Sequence, residues 1–263
     1  MFTNDKNLKG LTVRATDGEL GTVQDCYFDD ETWAIRYLVV ETGGWLGGRP
    51  VLLSPYSIAS VDWQTQRIDV SLTKKQVENS PHIDTHKPVS RQHEAEYLGY
   101  YGYPYYWGGP YMWGEAYYPT GVKVSPSDIR TDVYGKESAD SHLRSINAVT
   151  GYHIESKDGE IGHLDHFIIE EEAWAIRYLE VATQNWWPGK KVLLSPTWVE
   201  KVSWERAKVH VALTRESIQN CPEYTDAMAI TRDYENKLYV HYGWPPYWLN
   251  EARRTAALAH SGA

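Results

Sequence analysis

The residue types that most often do chemistry are present in this chain, but their spacing forms no known site. The two cysteines, Cys26 and Cys221, lie too far apart in the sequence to supply paired thiolate ligands for zinc. His163 and His166 are three residues apart, and on a β-strand that spacing turns them to opposite faces. There is also no glycine-rich phosphate loop and no nucleophile elbow. We therefore predict no catalytic residues, no metal site and no cofactor.

Two arginines stand out because each is the single charge inside an otherwise apolar stretch. Arg36 lies within Trp33 to Val40, and Arg177 lies at the matching place after Trp174. One interpretation is an arginine whose aliphatic stem packs at the rim of a fold while its head is paired. The other is contact with a partner molecule, so both arginines are candidate partner-binding residues.

Aromatic residues are concentrated in one segment, where Tyr97 to Tyr118 holds 11 aromatics in 22 positions. A shorter stretch, Leu238 to Trp248, is similar. These rings could cover apolar surface of their own domain, form a docking face for a partner, or stack on carbohydrate or bases. The segment Gly108 to Thr120 has no counterpart in the second stretch, and we expect it to be the exposed part. The aromatic-segment candidates for partner binding are Tyr101, Pro104, Tyr106, Trp107, Tyr111, Trp113, Tyr242, Pro245, Tyr247 and Trp248.

The aromatic stretches belong to a sequence repeat with an offset of 141 residues. The motif Asp-Gly-Glu-Leu-Gly at 17–21 returns as Asp-Gly-Glu-Ile-Gly at 158–162. Trp-Ala-Ile-Arg-Tyr-Leu at 33–38 returns unchanged at 174–179, and Val-Leu-Leu-Ser-Pro at 51–55 returns at 192–196. The match continues into the tails, where Arg91 and Glu94 return as Arg232 and Glu235. The repeated unit is therefore a module together with its aromatic tail.

The elements that must position these residues are short strands. Arg67 to Thr73 alternates apolar and polar residues, which is typical of a half-buried strand. The apolar step from Val23 to Cys26 breaks that period and predicts a β-bulge. Thr73 and Thr214 are predicted to cap short helical turns, and Ser90 and Thr231 to cap short helices before the aromatic stretches.

Residues 11–81 resemble the PRC-barrel family, which is named for the cytoplasmic domain of the photosynthetic reaction-centre H subunit. The similarity rests on the Asp-Gly-Glu-x-Gly turn, the Ile-Arg-Tyr-Leu strand and the Val-Leu-Leu-Ser-Pro segment, and the second copy carries the same elements. The resemblance implies a six-stranded antiparallel barrel that mediates protein contacts. The family also includes a ribosome-maturation factor, so the fold does not decide the function.

We therefore predict an all-β protein with two small six-stranded antiparallel PRC-like barrels in tandem, short helices and aromatic-rich tails. The predicted domains are a first barrel at 1–86, a helix, aromatic arm and linker at 87–145, a second barrel at 146–225, and a helix and aromatic tail at 226–263.

Net charge and the distribution of apolar residues limit the kinds of molecule that this chain is expected to bind. The net charge of −9 argues against nucleic acid, which usually needs a basic face. The polar start and the lack of a long apolar run argue against a secretory signal and a membrane span, so we expect a cytoplasmic protein. We predict a non-enzymatic protein-interaction or assembly module that binds a protein partner or itself and takes no small-molecule ligand. The alternatives are an RNA-linked adaptor of ribosome maturation and a small-ligand binder with a site between the barrels.

Overall fold

The computed structural model describes residues 1–82, 89–107, 109–120, 142–183, 190–226, 228–249 and 251. The chain divides into two compact units. Unit 1 consists of Met1, Thr3–Val149 and Phe167–Arg177, and unit 2 consists of Phe2, Thr150–His166 and Tyr178–Ala263. Unit 1 thus takes residues from both copies of the sequence repeat.

The first sheet has seven strands in the order β5-β4-β3-β2-β7-β6, with β8 added on β3. Its strands are β2 Thr12–Ala15, β3 Gly18–Asp29, β4 Ile35–Glu41, β5 Pro50–Leu53, β6 Ile58–Asp62, β7 Arg67–Val70 and β8 Leu143–Ser145. β2 and β7 pair in parallel, so the prediction of an antiparallel sheet is wrong at this position. Apolar alternation reports which face of a strand is buried and not the direction of its neighbour, so the sequence pattern could not reveal this. The path of described strands is open, with its ends at β5 and β6.

The second sheet repeats this order as β12-β11-β10-β9-β14-β13, with β1 added on β10. Its strands are β1 Phe2–Asn4, β9 His153–Ser156, β10 Gly159–Glu170, β11 Ala175–Ala182, β12 Lys191–Leu194, β13 Val199–Ser203 and β14 Lys208–Val211. β9 and β14 are again parallel. The chain is thus mostly β, with two sheets of mixed strand direction.

The helices are short, and the predicted caps of four of them are confirmed. The helices are α1 Asp5–Leu8, α2 Lys74–Glu78, α3 Arg91–Tyr101, α4 Ile146–Val149, α5 Arg215–Gln219 and α6 Arg232–Tyr242. Thr73, Ser90, Thr214 and Thr231 each accept a backbone N–H of the helix that follows. None of the described helices combines the length and apolar character needed to cross a membrane.

Two features of the repeated motifs have a backbone explanation. The register between β3 and β4 shifts between Val23 and Asp25, which confirms the predicted bulge. A Cβ atom on Gly21 would lie 1.8 Å from the carbonyl oxygen of Glu41, and one on Gly162 would lie 2.0 Å from that of Ala182. The last glycine of each Asp-Gly-Glu-x-Gly motif is therefore needed because another strand passes too close for a side chain.

Unit 1 is completed by segments that come late in the sequence. β8 pairs with β3, and Asp25 accepts hydrogen bonds from the Ser145 hydroxyl and, at 3.1 Å, from the Asn147 amide. Ala34 pairs with Ala175 in an antiparallel bridge. The Phe167 amide donates to Asp5 Oδ1 over 2.7 Å. The packing of unit 1 therefore needs residues up to Arg177.

Candidate partner-binding site

A buried carboxylate, Glu94, joins helix α3 of unit 1 to strand β4. Its side chain is 3% exposed. It accepts hydrogen bonds from the Tyr37 hydroxyl at 3.3 Å, from Arg91 Nη1 at 3.2 Å and from the Tyr106 hydroxyl. Burial raises the pKa of the Glu94 carboxyl to about 7, although Arg91 and Tyr106 act in the opposite direction. Four polar side chains from β4, α3 and the aromatic arm are thereby joined in one hydrogen-bonded cluster.

Unit 2 contains the same cluster around Glu235. Tyr178 donates to Glu235 Oε1 over 2.7 Å, Tyr247 over 3.2 Å, and Arg232 Nη1 lies 3.1 Å from Oε2. Each residue lies 141 positions after its counterpart in unit 1. The repeat already matched Glu94 with Glu235, but the sequence did not reveal that both glutamates are buried.

Arg36 is enclosed in unit 1 and is 1% exposed. Its Nη2 atom donates to Thr32 Oγ1 at 2.9 Å and reaches Asp29 Oδ2 at 3.4 Å. Its Nε and Nη1 atoms are buried and meet no acceptor among the described residues. The Cζ atom lies 3.7 Å from the ring centre of Tyr106 and 4.7 Å from that of Trp113. Aromatic faces thus stabilise a charge that hydrogen bonds satisfy only in part.

Arg177, the matching residue, is paired differently although it also belongs to unit 1. Its Nε atom lies 2.7 Å and its Nη2 atom 2.6 Å from Glu170 Oε2. Glu170 stands 141 residues after Asp29, and its side chain is one methylene longer. The shorter aspartate leaves a longer contact to Arg36, where the aromatic rings compensate.

Trp113 anchors the segment that has no counterpart in the second copy. Its side chain is 1% exposed, and its Nε1 atom donates to the carbonyl oxygen of Ala173 over 2.8 Å. Its ring meets Tyr56 edge to face at 5.0 Å, and the Tyr56 hydroxyl donates to the Trp113 carbonyl oxygen over 3.3 Å. Trp113 lies in a tight turn between Tyr111 and Gly114, and Gly114 closes this turn at φ +77°. The expectation of an exposed segment is therefore wrong for Trp113, because its indole contacts the Ala173 carbonyl oxygen, the Tyr56 ring and the Arg36 guanidinium inside unit 1.

The predicted partner-binding residues separate into two groups by burial. The buried ones are Arg36, Tyr101, Tyr106, Trp113, Arg177 and Tyr247. The half-buried or exposed ones are Pro104, Trp107, Tyr111, Tyr242, Pro245 and Trp248. Partner contact stays a prediction for both groups, and for the buried group it would require a rearrangement.

Three exposed apolar side chains lie close together in the sequence near the end of the described part of unit 2, and none of them was predicted to bind a partner. We define the C-terminal stripe as Val240, Trp244 and Leu249, which are 81%, 38% and 45% exposed. Val240 lies in the last turn of α6, and the Trp244 amide donates to the Tyr239 carbonyl oxygen beyond the αL residue Gly243. This helix ending projects the tail away from the helix axis. Because Val240 stands where the first copy has Gly99, comparison of the two copies could have identified this exposed apolar side chain.

A group of possible metal ligands, which the sequence analysis did not expect, lies in unit 2. One ligand atom from each of Asp165, His166 and Glu180 lies within 4.8 Å of the others. The ammonium group of Lys191 is 2.6 Å from Glu180 Oε1 and 3.6 Å from Asp165 Oδ2. Burial opposes the charge of Lys191, but hydrogen bonds to Asp226 and Glu180 raise its pKa. A lysine cation among the carboxylates explains their proximity, so we assign no ion to this group.

Comparison with known proteins identifies one part of the chain. Residues 3–77 match the family model of the PRC-barrel domain. An uncharacterized protein of Deinococcus radiodurans is 37% identical over 78 residues, which are 29% of this chain and 28% of that protein. The chain therefore spans less than a third of the length of this relative.

Proposed function

Because residues 3–77 are a PRC-barrel domain, we propose that this chain is a non-enzymatic module for protein interaction and assembly. We also propose that the second copy is a PRC-like domain. The repeated motifs and the repeated strand order support this assignment.

The observation that carries the proposal is the C-terminal stripe. Among the described residues, seven large apolar side chains are exposed, and three of them lie within Val240–Leu249. Exposed apolar clusters rimmed by polar residues are typical of protein-binding surfaces. Pro245 is exposed beside the stripe, and half-buried Trp248 extends the apolar surface. Tryptophan is also enriched among the residues that dominate binding energy.

The test is a triple variant of the full chain, Val240→Ser, Trp244→Ser and Leu249→Ser. We expect it to lose a complex that the wild type keeps, either with a co-purifying protein or with itself. Native mass spectrometry of protein purified from its own source measures this directly. The affinity should fall by about 100-fold or more, since a central tryptophan alone often contributes 2 kcal/mol or more.

The matched control replaces two exposed aromatics of unit 1, Tyr100→Ser and Tyr118→Ser, which are 42% and 49% exposed. These changes remove exposed apolar surface from unit 1 and leave the three side chains of the stripe intact. A wild type that forms no complex, or a triple variant that assembles like the control, would contradict the proposal.

A further inference from the structure

The segment 109–120 packs against the rest of unit 1 in the way that a bound peptide packs against its receptor. One large side chain, Trp113, is enclosed, while Glu115 and Tyr118, which come after it in the sequence, are exposed. Trp113 is held through both its indole N–H, on the Ala173 carbonyl oxygen, and its backbone carbonyl oxygen, on the Tyr56 hydroxyl. Such a combination of one aromatic anchor and a few directed hydrogen bonds is typical of peptide recognition.

The described part of unit 2 shows the same architecture without a counterpart of this segment. The second sheet has the same strand order as the first, and unit 2 has the same Glu–Tyr–Tyr–Arg cluster around Glu235. No described residue of unit 2 matches 109–120 in sequence. The cluster around Glu235 is therefore described without contacts equivalent to those of Trp113.

When Trp113 is in place, two hydrogen-bond donors of Arg36 remain unused. Arg36 lies beneath Trp113 and Tyr106, and its buried Nε and Nη1 atoms meet no acceptor among the described residues. Buried donors without acceptors are unfavourable, so an occupant that brings a carbonyl or carboxylate oxygen to them would bind better than the present one.

We propose that Arg36, Tyr56, Tyr106 and the Ala173 carbonyl group form a socket in unit 1 for a tryptophan-bearing peptide turn of a partner protein. Trp113 occupies this socket in cis and blocks it until a competing turn displaces it. The tether gives Trp113 a high effective concentration, so the intact chain binds such a peptide weakly. This socket lies in unit 1 and does not depend on the C-terminal stripe of unit 2, so it goes beyond the function proposed above.

The test uses the full chain with an emptied socket and a labelled synthetic peptide with the sequence of residues 109–120. The first variant is Trp113→Ser. The second is Gly114→Val, whose side chain would lie 2.6 Å from the Tyr105 carbonyl oxygen at a positive φ. This second change disrupts the turn of the segment and keeps every socket residue. Fluorescence anisotropy measures binding, and cooperative urea unfolding shows that each variant is folded.

We expect saturable binding to both variants and binding to the intact chain that is weaker by about tenfold or more. A control peptide with alanine in place of the tryptophan should bind both variants more weakly than the original peptide does, by about tenfold or more.

Folded variants that do not bind, or that bind the control peptide equally, would overturn the proposal. Loss of cooperative unfolding in both variants would also overturn it, because Trp113 would then be an essential part of the core. Concentration-dependent dimers of the intact chain that Trp113→Ser abolishes would assign the socket to a second copy instead of a partner.

Discussion

Glu94 is a carboxyl group that the fold removes from water, and at the residue scale this makes the stability of unit 1 depend on pH. Its pKa is raised from 4.5 to about 7, with burial as the main cause. A raised carboxyl pKa means that the folded state favours the protonated form. The resulting stabilisation is complete below about pH 4.5 and is lost as the pH rises through about 7.

We therefore predict that Glu94→Gln removes part of the pH dependence. Between pH 5 and pH 8 the free energy of unfolding of the wild type should fall relative to that of the variant, by about 1–3 kcal/mol. Urea unfolding at four pH values measures the difference. Glu96→Gln, an exposed change on the same helix, serves as the control. Parallel pH profiles for the wild type and Glu94→Gln would contradict the assignment.

The two matched arginines lead to a second prediction, because one is well paired and the other is not. Arg177→Met leaves Glu170 without its closest cation. Arg36→Met removes two nitrogen atoms that meet no acceptor in the described part of the chain, while Asp29 keeps hydrogen bonds from two backbone amides. The Arg177 change should therefore destabilise unit 1 by about 1–3 kcal/mol more than the Arg36 change. Equal midpoints of urea unfolding for Arg36→Met and Arg177→Met would contradict this. They would show that the aromatic rings stabilise Arg36 as well as the Glu170 carboxylate stabilises Arg177.

At the scale of the element, helix α3 offers a matched pair of glycines. A Cβ atom on Gly99 would meet nothing within 4 Å, whereas Gly102 ends the helix at φ +70°. We expect Gly99→Ala to stabilise the chain by about 0.5–1 kcal/mol and Gly102→Ala to destabilise it by about 1–2 kcal/mol. Thermal unfolding followed by circular dichroism measures both. A stabilising Gly102→Ala would show that the helix end tolerates another geometry.

The elements also show which parts of the fold the sequence could reveal. The caps at Thr73 and Ser90 and the bulge after Val23 were predictable, because each is decided by residues a few positions apart. The parallel pairing of β2 with β7 was not, since it depends on residues more than 50 positions apart. The sequence revealed the aromatic arm through its high density of aromatic residues. The burial of Trp113 was not predictable, because it depends on the Ala173 carbonyl group, which no local pattern indicates.

At the scale of the whole molecule, the two compact units do not coincide with the two sequence copies. Unit 1 includes β8, α4 and residues 167–177, all of which follow the aromatic arm in the sequence. We therefore predict that a fragment of residues 1–120 unfolds at a temperature about 10 °C or more below that of a fragment of residues 1–177. Circular dichroism melting of the two fragments, with limited proteolysis, measures this. Equal melting temperatures would show that the first copy is complete without the later segments.

The pairing of β8 with β3 has a consequence for synthesis of the chain on the ribosome. Asp29 ends β3, and its partner Leu143 is translated more than a hundred residues later. At about 5–20 residues per second, the last residues of β3, Tyr27–Asp29, wait on the order of ten seconds for the strand that pairs with them. During that interval the nascent chain presents unpaired amides and carbonyls beside a nearly complete apolar sheet. Codon choice between Asp29 and Leu143, which sets the length of that interval, should therefore affect the yield of native protein.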